Sequence, residues 1–124
     1  VAAAHAGWRG LAVGVLENTV AAMRSPASEL LAWMGPAIGP KAYQVGGEVK
    51  AAFAQQQAEG AGAFEADGER WLFDLYAMAR HCLRRAGVGH ISGGGCCTFS
   101  DAQRFFSYRR EAVTGRMASV VWLR

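Results

Sequence analysis

The sequence predicts an α+β fold, a mixed α/β arrangement in which a mixed β-sheet packs with helices. Short apolar runs of strand length alternate with longer stretches whose apolar residues recur at helical spacing. Glycine- and proline-rich turns separate them, at 35–40, 87–89 and 93–95. The chain is 52% hydrophobic and only 19% charged, which suits a packed core and excludes the composition of a disordered segment. With 124 residues there is room for one domain at most.

Residues 1–4 read as a small-residue strand, ended by His5-Ala6-Gly7. From Trp8 a helix is expected to run to about Arg24, before Ser25-Pro26. Leu11, Val15, Thr19 and Ala22 make its apolar stripe, and Val13, Leu16 and Val20 widen it. Residues 30–34 are a continuous apolar run and read as a buried strand. Gly35-Pro36-Ala37-Ile38-Gly39-Pro40 is a stiff turn. Tyr43-Gln44-Val45-Gly46 reads as a brief strand and 48–57 as a helix with Val49, Ala52 and Phe53 inward. The Ala- and Gly-rich stretch 58–67 reads as a loop.

Asp74 is placed to cap a strongly amphipathic helix through Arg85, whose apolar side holds Leu75, Met78, Cys82 and Leu83. Gly87-Val88-Gly89 ends it. A short strand follows at 90–92, and 117–123 reads as a terminal buried strand. There is no internal repeat. Val1 is not Met, and the chain enters its most motif-like segment at once, as expected of a stretch cut from a longer protein.

No apolar run reaches the roughly 18 residues that span a bilayer, so no membrane partner is expected. Nor does the N-terminal stretch resemble an export leader. Cys82, Cys96 and Cys97 form an odd set with two members adjacent, which suits reduced thiols and a cytoplasmic location better than a disulfide framework. The net charge is +3, and Arg104, Arg109, Arg110, Arg116 and Arg124 crowd the last quarter. Arginine there suits bidentate binding of a small anion as well as a nucleic-acid backbone.

His5 follows a strand and is flanked by Gly7 and Gly10, a position where active-site residues concentrate in α/β folds. Arg9 falls at the start of the next helix, where free N–H groups favour an anion. The bland alternative is a histidine that only hydrogen-bonds in a turn, since one histidine is not a metal site. Cys96 and Cys97 follow three glycines, and either could be an activated thiolate or an inert thiol. Cys82 belongs to the core. His81 reads as part of a solvated helix face and His90 as structural. Phe105-Phe106-Ser107-Tyr108-Arg109-Arg110 could stack bases and grip phosphate, or form a half-buried strand with solvated arginines.

Taken together, five segments resemble one family in order and spacing. They are His5-Ala6-Gly7-Trp8-Arg9-Gly10; Gly35-Pro36-Ala37-Ile38-Gly39-Pro40 with Tyr43-Gln44-Val45-Gly46; Cys97-Thr98; Phe105 to Arg110; and Thr114-Gly115-Arg116-Met117-Ala118. The family is the YfiH-type laccase-domain family, whose members are variously called polyphenol oxidases, purine nucleoside phosphorylases and peptidoglycan editing factor. The resemblance covers essentially the whole chain.

It implies a mixed α/β domain about twice this length, of which residues 1–124 would be the C-terminal portion. It also implies phosphate-dependent cleavage of adenosine, inosine, guanosine or methylthioadenosine, together with adenosine deamination. The implied metal is zinc, or copper in the oxidase reading, held by two histidines and a cysteine. His5 matches the last of these ligands; the other two belong upstream of Val1. Gln44 stands where the family motif usually has glutamate. Arg9, with Arg109 or Arg110, is the expected phosphate cradle. A precursor-editing hydrolase and a polyphenol oxidase are the alternatives within the family. A nucleic-acid-binding module through 104–116 is the alternative of another class.

Overall fold

The computed structural model describes residues 1–54 and 62–124. Two small sheets carry the architecture. Strand β1 (Leu31–Met34) pairs in parallel with β5 (His90–Gly93), in a register that sets Leu31 opposite His90 and Met34 opposite Gly93. The second sheet is antiparallel and ordered β2-β4-β3, with β2 (Gln44–Val45), β3 (Phe64–Asp67) and β4 (Arg70–Phe73). Helices α1 (Trp8–Ala12), α2 (Val15–Ala22), α3 (Gly47–Ala52) and α4 (Leu75–Arg85) complete it. Helices with parallel and antiparallel pairing make this an α+β fold, as the sequence predicts.

The core lies where α1, α3 and α4 meet the second sheet. Leu11, Val49, Phe53, Phe73, Met78 and Cys82 are all buried in one cluster. Phe64 and Phe73 stack with ring centroids 4.4 Å apart, and Phe53 tilts against Phe73 at 5.3 Å. Such aromatic pairs add specificity to plain area burial. The expected cap on α4 is present: the Asp74 carboxylate accepts from the Ala77 N–H at 2.9 Å. Cys82, on the inner face of that helix, is wholly buried.

Several local expectations are corrected. The helix expected over 8–24 is two helices, because Gly14 adopts a left-handed φ of 80° and breaks the ladder. Only glycine adopts that conformation without steric cost. The break turns Val13 outward instead of into the stripe. Residues 58–67, read as a loop, contain β3 at their end, and β3 and β4 form a hairpin around Gly68-Glu69. Residues 58–61, and the expected helix end at 55–57, lie outside the described residues.

Residues 1–4 and 117–123, expected as strands, pair with no strand among the described residues, and their side chains are exposed. Strand formation needs a hydrogen-bonding neighbour, which apolar composition alone does not supply. Strand β1 has its pairing partner in β5 but is not buried on both faces: Ala32 and Met34 turn inward, while Leu31 and Trp33 are 81% and 66% exposed. His81 is half-buried on α4 rather than on a solvated face, whereas His90 is exposed. Among the described residues, no helix is long and apolar enough to cross a membrane.

Candidate functional site

His5 follows the unpaired N-terminal residues and is exposed. Its ring folds back over the turn, so that a Cβ at Gly7 would sit 3.4 Å from Nε2. A Cβ at Gly10 would lie 3.3 Å from the His5 carbonyl oxygen and 3.2 Å from Val15 Cγ1. Gly10 therefore lets this turn close on itself and on α2, whereas a Cβ at Gly7 would meet the imidazole at ordinary contact distance. Helix α1 has only five residues, and Arg9 lies in its first turn with its guanidinium 4.6 Å from the Trp8 ring centroid. So short a helix carries little macrodipole, so any anion affinity here rests on the guanidinium itself.

The adjacent arginines of the C-terminal segment have different surroundings. Arg110 donates from Nη1 to the carbonyls of Thr98 and Phe99, both at 2.8 Å, and from Nη2 to the Phe105 carbonyl at 2.8 Å. Its Nε meets Glu111 at 3.2 Å. The guanidinium is thereby occupied in holding the loop together. Arg109 is exposed. Its Nη1 donates to the Gln44 carbonyl at 3.0 Å, and its guanidinium carbon lies 5.2 Å from the Tyr43 ring centroid.

Tyr43 is anchored from beneath: its carbonyl accepts from the Phe73 N–H at 2.9 Å, and its ring lies 5.9 Å from that of Phe73. Burial pushes its phenol pKa up, while the charges of Arg109 and then Arg9 pull it down, with a net rise. The structure thus brings Arg109 to the face of the Tyr43 ring and leaves Arg110 in the loop. Tyr43 drew no role from its residue type, although it lies in a motif the sequence singles out. The Gln44 amide donates to Asp67 at 2.7 Å, across the antiparallel sheet.

A second polar cluster surrounds the stiff turn at 35–40. The Tyr76 hydroxyl donates to the Gly35 carbonyl at 3.1 Å and accepts from the Ala37 N–H at 2.6 Å. Cys97 Sγ accepts from the N–H groups of Gly39 at 3.2 Å and Ser100 at 3.4 Å. Burial works to raise the Cys97 pKa, but hydrogen bonds from the Ser100 hydroxyl and amide, Gly39 and Phe99 outweigh it and bring the thiol below its ordinary value. Cys96, one residue away, is also half-buried. Cys82 is the opposite case: burial, aided by Glu17, pushes its thiol up to about 11.

A metal needs more than His5. Among the described residues, no three His, Cys, Asp or Glu side chains are grouped so as to hold an ion. A catalytic zinc is normally held by three protein ligands, so the side chains described do not by themselves fit the group.

Residues 1–124 match the family described as multi-copper polyphenol oxidoreductase laccase. The chain is 58% identical over 125 residues to a Pseudomonas aeruginosa protein named purine nucleoside phosphorylase, covering 99% of this chain and 52% of that protein. It is 53% identical over 123 residues to the Escherichia coli purine nucleoside phosphorylase YfiH, covering 99% of this chain and 51% of its relative. Among solved structures it is similar to a Neisseria meningitidis protein of the DUF152 family, with a TM-score of 0.83 and 52% identity over 87% of this chain and 45% of that one. It also resembles YlmD of Geobacillus stearothermophilus, with a TM-score of 0.81 and 32% identity over 88% and 43% of the two chains. The chain spans about half the length of these relatives. It belongs to the multi-copper polyphenol oxidoreductase laccase family, in its YfiH-type branch.

Proposed function

We propose that this chain forms the C-terminal portion of a single YfiH-type domain whose activity is metal-dependent purine nucleoside phosphorolysis. The substrates are adenosine, inosine, guanosine or methylthioadenosine, with adenosine deamination as a second activity. The observation that carries this reading is the position of His5. It is an exposed imidazole on a self-closed glycine turn, four residues before a guanidinium that has no carboxylate partner among the described residues. The names of relatives that match 99% of the chain support it.

In the reaction proposed, a phosphate oxygen attacks the sugar C1′ and forms the new C–O bond. The glycosidic C1′–N9 bond breaks, and its electron pair leaves with the purine, which takes up a proton. The work left to the protein is holding the anion, orienting the nucleoside and excluding water. His5 would serve as one ligand of a zinc or copper ion, with further ligands from outside the described residues. When bound, such an ion would polarise a substrate oxygen or water.

The experiment is an assay with adenosine in the presence and absence of phosphate. Phosphorolysis yields adenine and ribose-1-phosphate, and deamination yields inosine. Release of free ribose at a rate indifferent to phosphate would overturn the reading. Turnover of a phenolic substrate with oxygen, without nucleoside cleavage, would instead support the oxidase alternative that the family description carries.

A further inference from the structure

Residues 117–123 carry apolar side chains that nothing among the described residues covers. In a strand, Val120 and Trp122 would share one face, and Val121 and Leu123 the other. All four are half or more exposed, and the segment pairs with no strand among the described residues. A segment apolar on both faces suits the interior of a sheet covered on both sides, not a surface.

The same want of neighbours marks β1. Its parallel pairing with β5 leaves the outer edge of each strand free among the described residues, and parallel pairs normally lie between covering layers. On the outer face, Leu31 and Trp33 stand in register with His90 and Ser92, and all four are exposed. The two regions meet at Gly35. A Cβ added there would lie 3.3 Å from the Trp33 ring and 3.8 Å from the Ser119 hydroxyl oxygen. The C-terminal segment therefore passes the end of β1 beside Trp33, and the two exposed apolar stretches adjoin.

The amount of surface points to a large partner. The chain exposes 8225 Å², against roughly 6400 Å² expected for a folded chain of 124 residues. The excess of roughly 1800 Å² is about twice what one partner contributes to a standard interface, and suits a permanent one. The Neisseria meningitidis structure matches 87% of this chain with 45% of its own, so more than half of its length lies outside the match. A second copy, paired along 117–123, would fill one edge of that strand and leave its faces bare. Further layers of the same domain would cover edges and faces together.

We propose that Leu31, Trp33 and residues 120–123 form the seat of the N-terminal portion of the same YfiH-type domain. Residues 117–123 become an interior strand when that portion docks. This rests on the reading of the chain as the C-terminal portion of the domain, and on no step of catalysis.

The test co-expresses the 124-residue chain with the N-terminal portion of the 58%-identical Pseudomonas aeruginosa protein. Sedimentation should show a one-to-one complex. Within it, the amides of 117–123 should exchange with deuterium about a hundredfold more slowly than in the chain alone. Trp33→Glu and Val121→Glu should each weaken the complex by about tenfold or more, because a carboxylate would be buried without a partner. Ala66→Glu, a charge inserted on exposed β3 of the other sheet, should leave it intact. All three positions are exposed in the chain itself, so the variants remove no core contact, and protected α4 amides would show that each has folded.

Failure to form the complex would overturn the proposal. So would a complex in which 117–123 exchanges as it does in the chain alone, or one that Trp33→Glu and Val121→Glu leave at parental strength. A homodimer of the chain alone that already protects 117–123 would also overturn it, in favour of a second copy. A protected complex that forms no ribose-1-phosphate would leave the surface standing and remove phosphorolysis. Phosphorolysis by the chain alone, with no complex formed, would do the reverse.

Discussion

The Arg110 guanidinium closes on the Phe105 carbonyl at 2.8 Å and, through its other terminal nitrogen, on the Thr98 and Phe99 carbonyls. One side chain thereby gathers both ends of a loop that has no regular secondary structure of its own. Arg110→Ala should destabilise the protein by about 2–3 kcal/mol, since three carbonyls lose a charged donor in a partly buried setting. Arg110→Lys should recover little of this, because an ammonium lacks the planar fork that reaches three acceptors. Urea unfolding of the three proteins measures it; a shift below about 0.5 kcal/mol, the usual size for an inconsequential surface change, would show the clamp to be unimportant.

Cys97 should be the most reactive thiol of the three. Hydrogen bonds from Ser100, Gly39 and Phe99 lower its pKa, whereas Cys82 is buried and raised to about 11. Brief treatment with iodoacetamide at neutral pH should label Cys97 before Cys96 and leave Cys82 unlabelled, as read by peptide mass spectrometry. Ser100→Ala should slow the Cys97 reaction. Equal labelling of Cys82 and Cys97 in the folded protein would contradict the assignment.

Stability should fall at alkaline pH, in part through Cys82. Its folded pKa is raised from 9.0 to about 11, so the folded state retains a proton that the unfolded state has released. The contribution is complete below pH 9 and is lost as pH rises toward 11, on the order of 2 kcal/mol in all. Tyr43 and Tyr76 are also raised, each chiefly by burial, and add to the decline above pH 10. Cys82→Ala should lower stability at neutral pH by opening a small cavity, yet flatten the curve between pH 9 and 11. Thermal unfolding across that range checks it, and an unchanged slope would refute the role.

Zinc should bind the 124-residue chain weakly. His5 is the proposed ligand, and it lacks two described partners of the kind a zinc site needs. Titration against a competing chromophoric chelator should show no tight stoichiometric site, and His5→Ala should reduce whatever affinity remains. Tight binding at one equivalent, unaffected by His5→Ala, would place the metal elsewhere.

Much of the local structure is legible in the sequence because its causes are local. Asp74 followed by apolar residues at helical spacing predicts α4 and its cap, and both are present. The alternation of strand and helix signals predicts the α+β class. The hairpin of β3 and β4 was legible in part: Gly68-Glu69 between Phe64 and Phe73 is a two-residue turn signal that the neighbouring Ala- and Gly-rich stretch obscured. The break at Gly14 was harder to see, since the apolar stripe continues across it.

His5 with its flanking glycines stands out from the sequence as a candidate, and the ordered motifs identify the family. By itself the sequence also determined that arginines would crowd the C-terminal quarter. It could not rank Arg109 against Arg110, which are adjacent and chemically identical. Tertiary structure decided that difference. The acceptors for Arg110 are the carbonyls of its own loop, while Arg109 reaches the Gln44 carbonyl 65 residues away and the face of Tyr43. A guanidinium's role depends on which acceptors reach it first, and long-range packing brings those acceptors into place.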